Sequence, residues 1–412
     1  MTTCKGDRVL ADLRALARIG AYKTGVHKPS LSRPHVESLE WLAARAREAG
    51  LDVTIDGIGN VLARTPGEGP RLLTGSHLES QNHAGWLDGP LGVIYGLEAA
   101  RAIREDKDLA GRGLGVDVGV WCDEEGHFGH FIGSRSAVGE VSEADLDAAT
   151  DRTHGTPMRK MLADAGFAGR PRLRIDAKRY IGYLEAHIEQ GDWLETNGLK
   201  IGAVTSIVGI RQYRITFEGT QNHAGTTRMA IRRDAGLACA RLCVAIDERF
   251  PGVAGERTVW TTGRITLDPG GPSIIPGKAE MLFQVRDAEI ATLDRMEAAL
   301  ADLVDRSDKA GPCGARLERL RSSKPAVMAE PFLAAIEAAT AVHAPGRSTR
   351  IPSGAGHDAQ VFAGHMPAGM MFVPSIGGIS HHWTENTSDE DLVIGAKVYV
   401  EACARLLQGA AR

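Results

Sequence analysis

The sequence predicts an α/β protein of two domains, one built on a mostly parallel sheet and interrupted by a second, smaller one. Three observations carry this. Short apolar runs alternate with helical stretches up to residue 208 and again after 322. Several of those runs end in histidines and carboxylates, where an open α/β sheet gathers its working groups. Between them, patterning changes to amphipathic strands and helices in the order β-α-β-β-α-β. The expected division is therefore 1–208, 209–322 and 323–412, the first and last forming one domain.

Taken in order, "PHVESLEWLAARAREAG" (34–50) has helical apolar spacing and stops at Gly50. "LDVTIDGIGNVLART" reads as two strands around Gly57–Gly59. "RLLTGSHLE" is a short buried strand with a polar end, followed by the helix "PLGVIYGLEAARAIRED". "GVDVGVWCDEEG" is a second apolar run that ends in acids, and "MMFVPS" (370–375) a third. In the middle, "RQYRITFEG" alternates as a half-exposed strand and "MAIRRDAGLACARLCVAIDERF" is helical. "RTVWTTGRITL" and "KAEMLFQVRD" are strands, "ATLDRMEAALADLVDRSDKAG" a helix and "ARLERLRSS" a last strand, a ferredoxin-like split βαβ unit. The last helix places Leu392, Ala396, Tyr399, Cys403 and Leu406 on one stripe.

Composition narrows the function classes. The chain has 412 residues, 43% apolar and 24% charged, with a formal net charge of −4. There is no basic excess to suit nucleic acid and no apolar run near the ~18 residues of a membrane span. The start, "MTTCKGDRVLADLRALARIG", lacks the apolar stretch of an export signal. Six scattered cysteines then suit a reduced, cytoplasmic protein. Cys239 and Cys243 read as small core residues of a helix rather than half of a metal site.

The chemistry-bearing residues cluster by motif. "SHLESQNHAGWLDGPLG" supplies His77, Glu79 and Asp88, the last in a Gly/Pro turn that aims its side chain. "DEEG" supplies Glu124 and Glu125, "EAHIEQG" supplies His187, Glu189 and Gln190, and "GGISHHWTEN" supplies His381, His382 and Glu385. Imidazoles and carboxylates converging on one sheet edge suit Zn²⁺ or Mn²⁺, and a shared carboxylate can bridge two such ions.

With "GSRS", "GTQNHAGTTRM", "IIPGKAE", "QVRD" and "SGAGHDA" added, the segments resemble a family of metal-dependent amidohydrolases. These are of the hydantoinase/carbamoylase type: N-carbamoyl-L-amino acid hydrolase, allantoate amidohydrolase and ureidoglycolate amidohydrolase, relatives of aminoacylases and co-catalytic zinc carboxypeptidases. The resemblance implies a catalytic domain with an inserted lid and dimerisation domain, and two divalent metal ions per subunit. It implies that His77, Asp88 and His187 hold one ion and Asp88, Glu125 and His381 the other. Glu124 matches the general base, and His223 a lid histidine that stabilises the oxyanion across a homodimer. Arg286 matches the grip on a substrate carboxylate; Gln190, Ser273, His357 and Gly356 match pocket positions. The implied reaction is hydrolysis of a linear ureido or N-carbamoyl C–N bond, with release of ammonia and carbon dioxide. The alternatives are an N-acyl amino acid or dipeptide hydrolase using the same site, and a non-catalytic relative that binds a metabolite or partner.

Two positions depart from the family pattern. Glu79 stands for an aspartate that orients the metal-binding histidine, and Ser273 for an asparagine beside the substrate carboxylate. His127 and His130 are extra imidazoles, expected to be structural or to support the metal ligands rather than to be ligands themselves. The pentapeptide "QNHAG" occurs at 81–85 and again at 221–225. Its flanks do not match, so the two copies are expected to do unrelated work, with His223 the chemical one.

Overall fold

The computed structural model describes residues 2–410. The chain divides into two compact units: residues up to Thr205 together with those from Val327 onward, and Ser206–Ala326.

The first unit is organised by a nine-stranded sheet. Its centre is four parallel strands in the order Ala368–Val373, Tyr180–Ile188, Arg71–Ser76 and Gly115–Val120. Outside them the pairing turns antiparallel: Val61–Arg64 and Asp52–Ile55 on one side, Ile201–Ile207 on the other. The fold is thus mixed α/β with a large sheet, parallel at its centre and antiparallel at its margins. The strands Arg71–Ser76 and Gly115–Val120 are buried at every position, as central parallel strands covered on both faces must be. Asp117 survives in that interior because its carboxylate accepts from Thr65 N at 2.8 Å and Tyr180 Oη at 2.9 Å.

Helix Pro90–Glu105 is buried around nearly its whole circumference. It packs on the central strands and against the long helix Asp389–Ala410, which also meets Gly6–Arg18 and Glu330–His343. Leu392, Ala396, Tyr399 and Cys403 of the last helix are buried as its stripe predicts, and the stripe ends on Leu407.

The second unit is a four-stranded antiparallel sheet in the order Val259–Asp268, Lys278–Asp287, Gly209–Glu218, Gly314–Ser322. Lys278–Asp287 alternates buried and half-buried residues, presenting Met281, Phe283 and Val285 to a core shared with Leu242, Ile246, Leu293 and Met296. Those last four come from helices Ala235–Arg249 and Ile290–Ala310. The first helix starts six residues later than "MAIRRDAGL" suggests, at Ala235 rather than Met229. Asp234 caps it by accepting from Leu237 N at 3.0 Å, and a side-chain cap fixes the start more firmly than apolar spacing does. Cys239 and Cys243 pack in this core. Val259–Asp268 is an edge strand with Val259, Ile265 and Leu267 turned outward, 53%, 47% and 40% exposed. Among the described residues no helix is long and apolar enough to cross a membrane.

Candidate active site

Each of the four central parallel strands delivers chemistry at its carboxyl end. His77 follows Arg71–Ser76, and Asp123, Glu124 and Glu125 follow Gly115–Val120. His187 is the penultimate residue of Tyr180–Ile188, and His381 lies in the loop after Ala368–Val373. Asp88 joins them from the turn that opens helix Pro90–Glu105. Gly89 makes this turn at φ +88°, and a Cβ there would lie 2.5 Å from the His77 ring, so only glycine lets the helix start this close.

Asp88 is the centre. Its Oδ1 lies 3.0 Å from His187 Nε2 and 3.5 Å from His77 Nε2. Its Oδ2 lies 3.2 Å from His381 Nε2, which is 3.6 Å from Glu125 Oε2. Two groups of potential ligands result, His77–Asp88–His187 and Asp88–Glu125–His381, sharing Asp88. Glu124 is half-buried beside them, its Oε2 3.6 Å from His77 Nε2.

The two buried imidazoles are oriented for ligation. His77 Nδ1 lies 3.0 Å from the Glu79 carbonyl oxygen and His187 Nδ1 2.8 Å from that of Ile188. A carbonyl only accepts, so both Nδ1 atoms carry hydrogen and both Nε2 atoms face Asp88. His77 Nε2 is buried with no hydrogen-bond partner. An imidazole nitrogen stands this close to a carboxylate oxygen with positive charge between them, a proton or a bound cation. Ligands about 2.0–2.2 Å from a tetrahedral ion stand roughly 3.3–3.6 Å apart, close to the spacings found here. The residues fit a pair of divalent cations.

The same contacts set the proton affinities of the cluster. Burial alone would raise the Asp88 carboxyl, yet contacts with His187, His381 and His77 hold it well below the usual carboxylate range. Burial would lower His77, but Glu124, Asp88 and Glu79 hold it well above an ordinary imidazole. Burial, reinforced by Glu125, Asp358 and Asp88 against the pull of His77, pushes Glu124 well above an ordinary glutamate. A carboxylate so raised is suited to take up and hold a proton.

Residues behind the cluster fix it. Glu385, fully buried, accepts from Leu87 N at 3.2 Å, Asp88 N at 3.1 Å and Ser380 Oγ at 2.9 Å, clamping the turn that carries Asp88. Gly85 makes room for it: a Cβ there would sit 1.9 Å from the Glu385 carboxyl. Asp123 holds the next loop, accepting from Ser30 Oγ and from the main-chain N–H of His127, Phe128 and Gly129. His127 is itself structural, its Nε2 3.0 Å from the Ser80 carbonyl.

Glu79 does a different job from the one its position suggests. Its main-chain carbonyl, not its carboxylate, meets His77 Nδ1; the nearer carboxylate oxygen is 3.9 Å away. The longer stem carries the carboxylate onward to accept from Glu124 N at 2.7 Å. Its other oxygen lies 3.5 Å from Nε2 of the buried His35.

The remaining expected residues fall in two places. Gln190, at φ +60°, donates from Nε2 to Asp88 Oδ2 at 3.0 Å and leaves its buried Oε1 without a partner. His357 is buried with its ring 4.6 Å from His187, and Gly356 lies against Phe131. His223, Ser273 and Arg286 belong to the second unit. His223 pairs with Ile274 in a two-residue ladder, and Ala224 N donates to the Ser273 carbonyl at 3.0 Å. The exposed His223 ring accepts at Nδ1 from Gly225 N at 3.0 Å and Thr226 N at 3.2 Å, which leaves its proton on Nε2. Arg286 is half-buried on Lys278–Asp287.

A sheet of this kind carrying this cluster is the frame of a hydrolase. The chain belongs to peptidase family M20/M25/M40, whose model matches residues 66–405, and this family is metal-dependent. It is 32% identical to an N-carbamoyl-L-amino-acid amidohydrolase of Paenarthrobacter aurescens over 98% of each chain. It is 33% identical to an allantoate amidohydrolase of Escherichia coli (strain K12) over 93% of each. A solved amidase of the hydantoinase/carbamoylase family from Burkholderia phymatum superposes with a TM-score of 0.90 at 45% identity, covering 100% of both chains. The chain is, with these relatives, an amidohydrolase.

Proposed function

We propose that the chain hydrolyses a linear ureido or N-carbamoyl C–N bond in a small carboxylated substrate, using two divalent cations, Zn²⁺ or Mn²⁺. The observation that carries this is Asp88, whose two oxygens each face a separate ligand group. His77, Asp88 and His187 would hold one cation and Asp88, Glu125 and His381 the other. When bound there, the cations supply Lewis acidity to the water and the scissile carbonyl.

The protein's own residues do the rest. Glu124 takes the proton from the attacking water and delivers it to the leaving nitrogen. His223 presents its Nε2–H to the oxygen that gains negative charge, a donation worth ~3–4 kcal/mol when well placed. Arg286 grips the substrate carboxylate. Ser273 lies beside the His223 turn, towards the other end of the strand that carries Arg286. Gln190 offers its unpartnered Oε1 to a substrate N–H, and His357 and Gly356 border the pocket. One water and one carbamoyl group yield the free amine, ammonia and carbon dioxide.

The second unit is proposed as lid and dimerisation domain of a homodimer, with His223 serving the partner's site. The outward apolar side chains of the edge strand Val259–Asp268 support that assembly. Ser273 favours a second reading of the substrate, an N-acyl amino acid or dipeptide: its hydroxyl offers one donor where an asparagine amide offers two. Ammonia release separates the readings. Purified protein supplied with Mn²⁺ or Zn²⁺ should release ammonia from ureido acids; acyl cleavage without ammonia supports the second reading, and inertness towards both refutes the site assignment.

A further inference from the structure

The first copy of the repeated pentapeptide has no role in the scheme above. Its leading residue, Gln81, does more than bridge His77 and Asp88. The Gln81 main-chain N–H donates to Glu125 Oε1 at 3.1 Å. Its side-chain Nε2 donates to Glu125 Oε2 at 2.7 Å and to the Glu125 carbonyl at 3.0 Å. One residue therefore grips both carboxylate oxygens and the main chain of the proposed ligand.

The amide cannot turn around freely. Arg152 donates from Nη2 to Gln81 Oε1, and from Nη1 to the Glu125 carbonyl at 3.3 Å. A guanidinium only donates, so it pins the amide oxygen on its own side and leaves the NH₂ on Glu125. Arg152 is in turn anchored by its main-chain N–H to the His127 carbonyl at 2.9 Å. The second copy stands differently: its Asn222 and His223 form a short ladder with Ile274 and Ile275.

We infer that Gln81, oriented by Arg152, is a positioning residue that sets the Glu125 carboxylate for the cation shared with His381 and not for the one shared with His77 and His187. The inference rests on the two-cation reading. Outer hydrogen-bond partners of ligands are worth about 10–100-fold in metal affinity. Selectivity follows from the contacts: Gln81 touches a ligand belonging to only one of the two groups.

The test is titration of Zn²⁺ into chelator-stripped protein against a competing indicator. The wild type should show two binding steps, one of which disappears in His381→Ala. Gln81→Met, which keeps the volume and removes the side-chain donors, should weaken that same step 10–100-fold and leave the other within twofold. Gln81→Glu, which sets a second carboxylate against Glu125, should weaken it further. Arg152→Met, altering an exposed residue and so sparing the fold, should weaken the same step by less than Gln81→Met. Unchanged steps in Gln81→Met, or equal weakening of both, overturn the inference alone. A wild type that takes up no Zn²⁺ overturns the two-cation reading and the inference with it.

Discussion

Glu385→Ala tests whether Asp88 is held in place from behind. The Glu385 carboxylate receives the main-chain N–H of Leu87 and of Asp88 on one oxygen and the Ser380 hydroxyl on the other. Leu87, Asp88 and Glu385 are all buried, so no solvent can replace what truncation removes. Each orphaned buried N–H costs about 1–3 kcal/mol, which puts the loss at about 2–6 kcal/mol for the pair, before any cavity cost. Glu385→Gln is the control. Its amide oxygen can still accept both N–H groups, and its NH₂ can donate to Ser380, whose hydroxyl already reaches Asp88 Oδ2 at 3.3 Å. That variant should lose less than about 1 kcal/mol, one ordinary hydrogen bond. Urea unfolding followed by tryptophan fluorescence reads the stability, with Trp86 and Trp383 flanking the turn and its clamp. Because Asp88 belongs to both ligand groups, Glu385→Ala should also weaken both cation-binding steps. Equal stability of the two variants would refute the clamp. A destabilised Glu385→Ala with both steps at wild-type strength would show that Asp88 is placed by something else.

Other outcomes follow from the same geometry. Glu124→Gln should lower turnover by about 10²–10⁴-fold, the usual worth of general acid–base catalysis, while metal content by elemental analysis stays at the wild-type value. His223→Ala should lower kcat about 10²–10³-fold, and mixing it with Glu124→Gln should restore activity in reassembled heterodimers; no recovery would mean that each site is built from one chain. Lys28 is buried with its ammonium donating to the Leu16 carbonyl, and burial pushes it down to about 7 against a small upward pull from Glu37. Its native value lies below the ordinary 10.5, so the unfolded chain binds the extra proton between about 7 and 10.5 and stability rises with pH across that window. Lys28→Met should therefore raise the melting temperature more at pH 6 than at pH 10, as calorimetry at the two pH values would show.

Most of the site was legible because polar residues at the ends of apolar runs stand out. His77, Glu124, Glu125 and His381 show this, and the Gly/Pro turn marks Asp88. The strand Tyr180–Ile188, which delivers His187, was not. "YIGYLEAHI" has Glu185 in its middle, which breaks the apolar run. The structure tolerates it because Ser76 Oγ donates to it at 2.8 Å and Ala359 N at 2.9 Å, partners 109 and 174 residues distant along the chain. The same remoteness hid Glu385, whose meaning lies in main-chain groups almost 300 positions earlier. Where the longer stem of Glu79 leads was hidden for a subtler reason. Its residue type indicates a carboxylate near His77, but the extra methylene decides which N–H it reaches. In the second unit, helix and strand periods were clear; the largest boundary shift is at the Asp234 cap, the others being one or two residues.

The place of strand Ala368–Val373 bears on how the chain is made. It lies between Tyr180–Ile188 and Ile201–Ile207, two strands translated long before it. Until the ribosome has passed the entire second unit, the nascent sheet has an open slot at its centre, with unsatisfied main-chain groups on both sides. Such a slot is an invitation to a stray strand, so the interval between synthesis of Ile207 and of Val373 is when this protein most needs protection from its neighbours. Closure of the slot is also the event that brings His381 to Asp88, so the candidate site cannot be assembled before the sheet is complete.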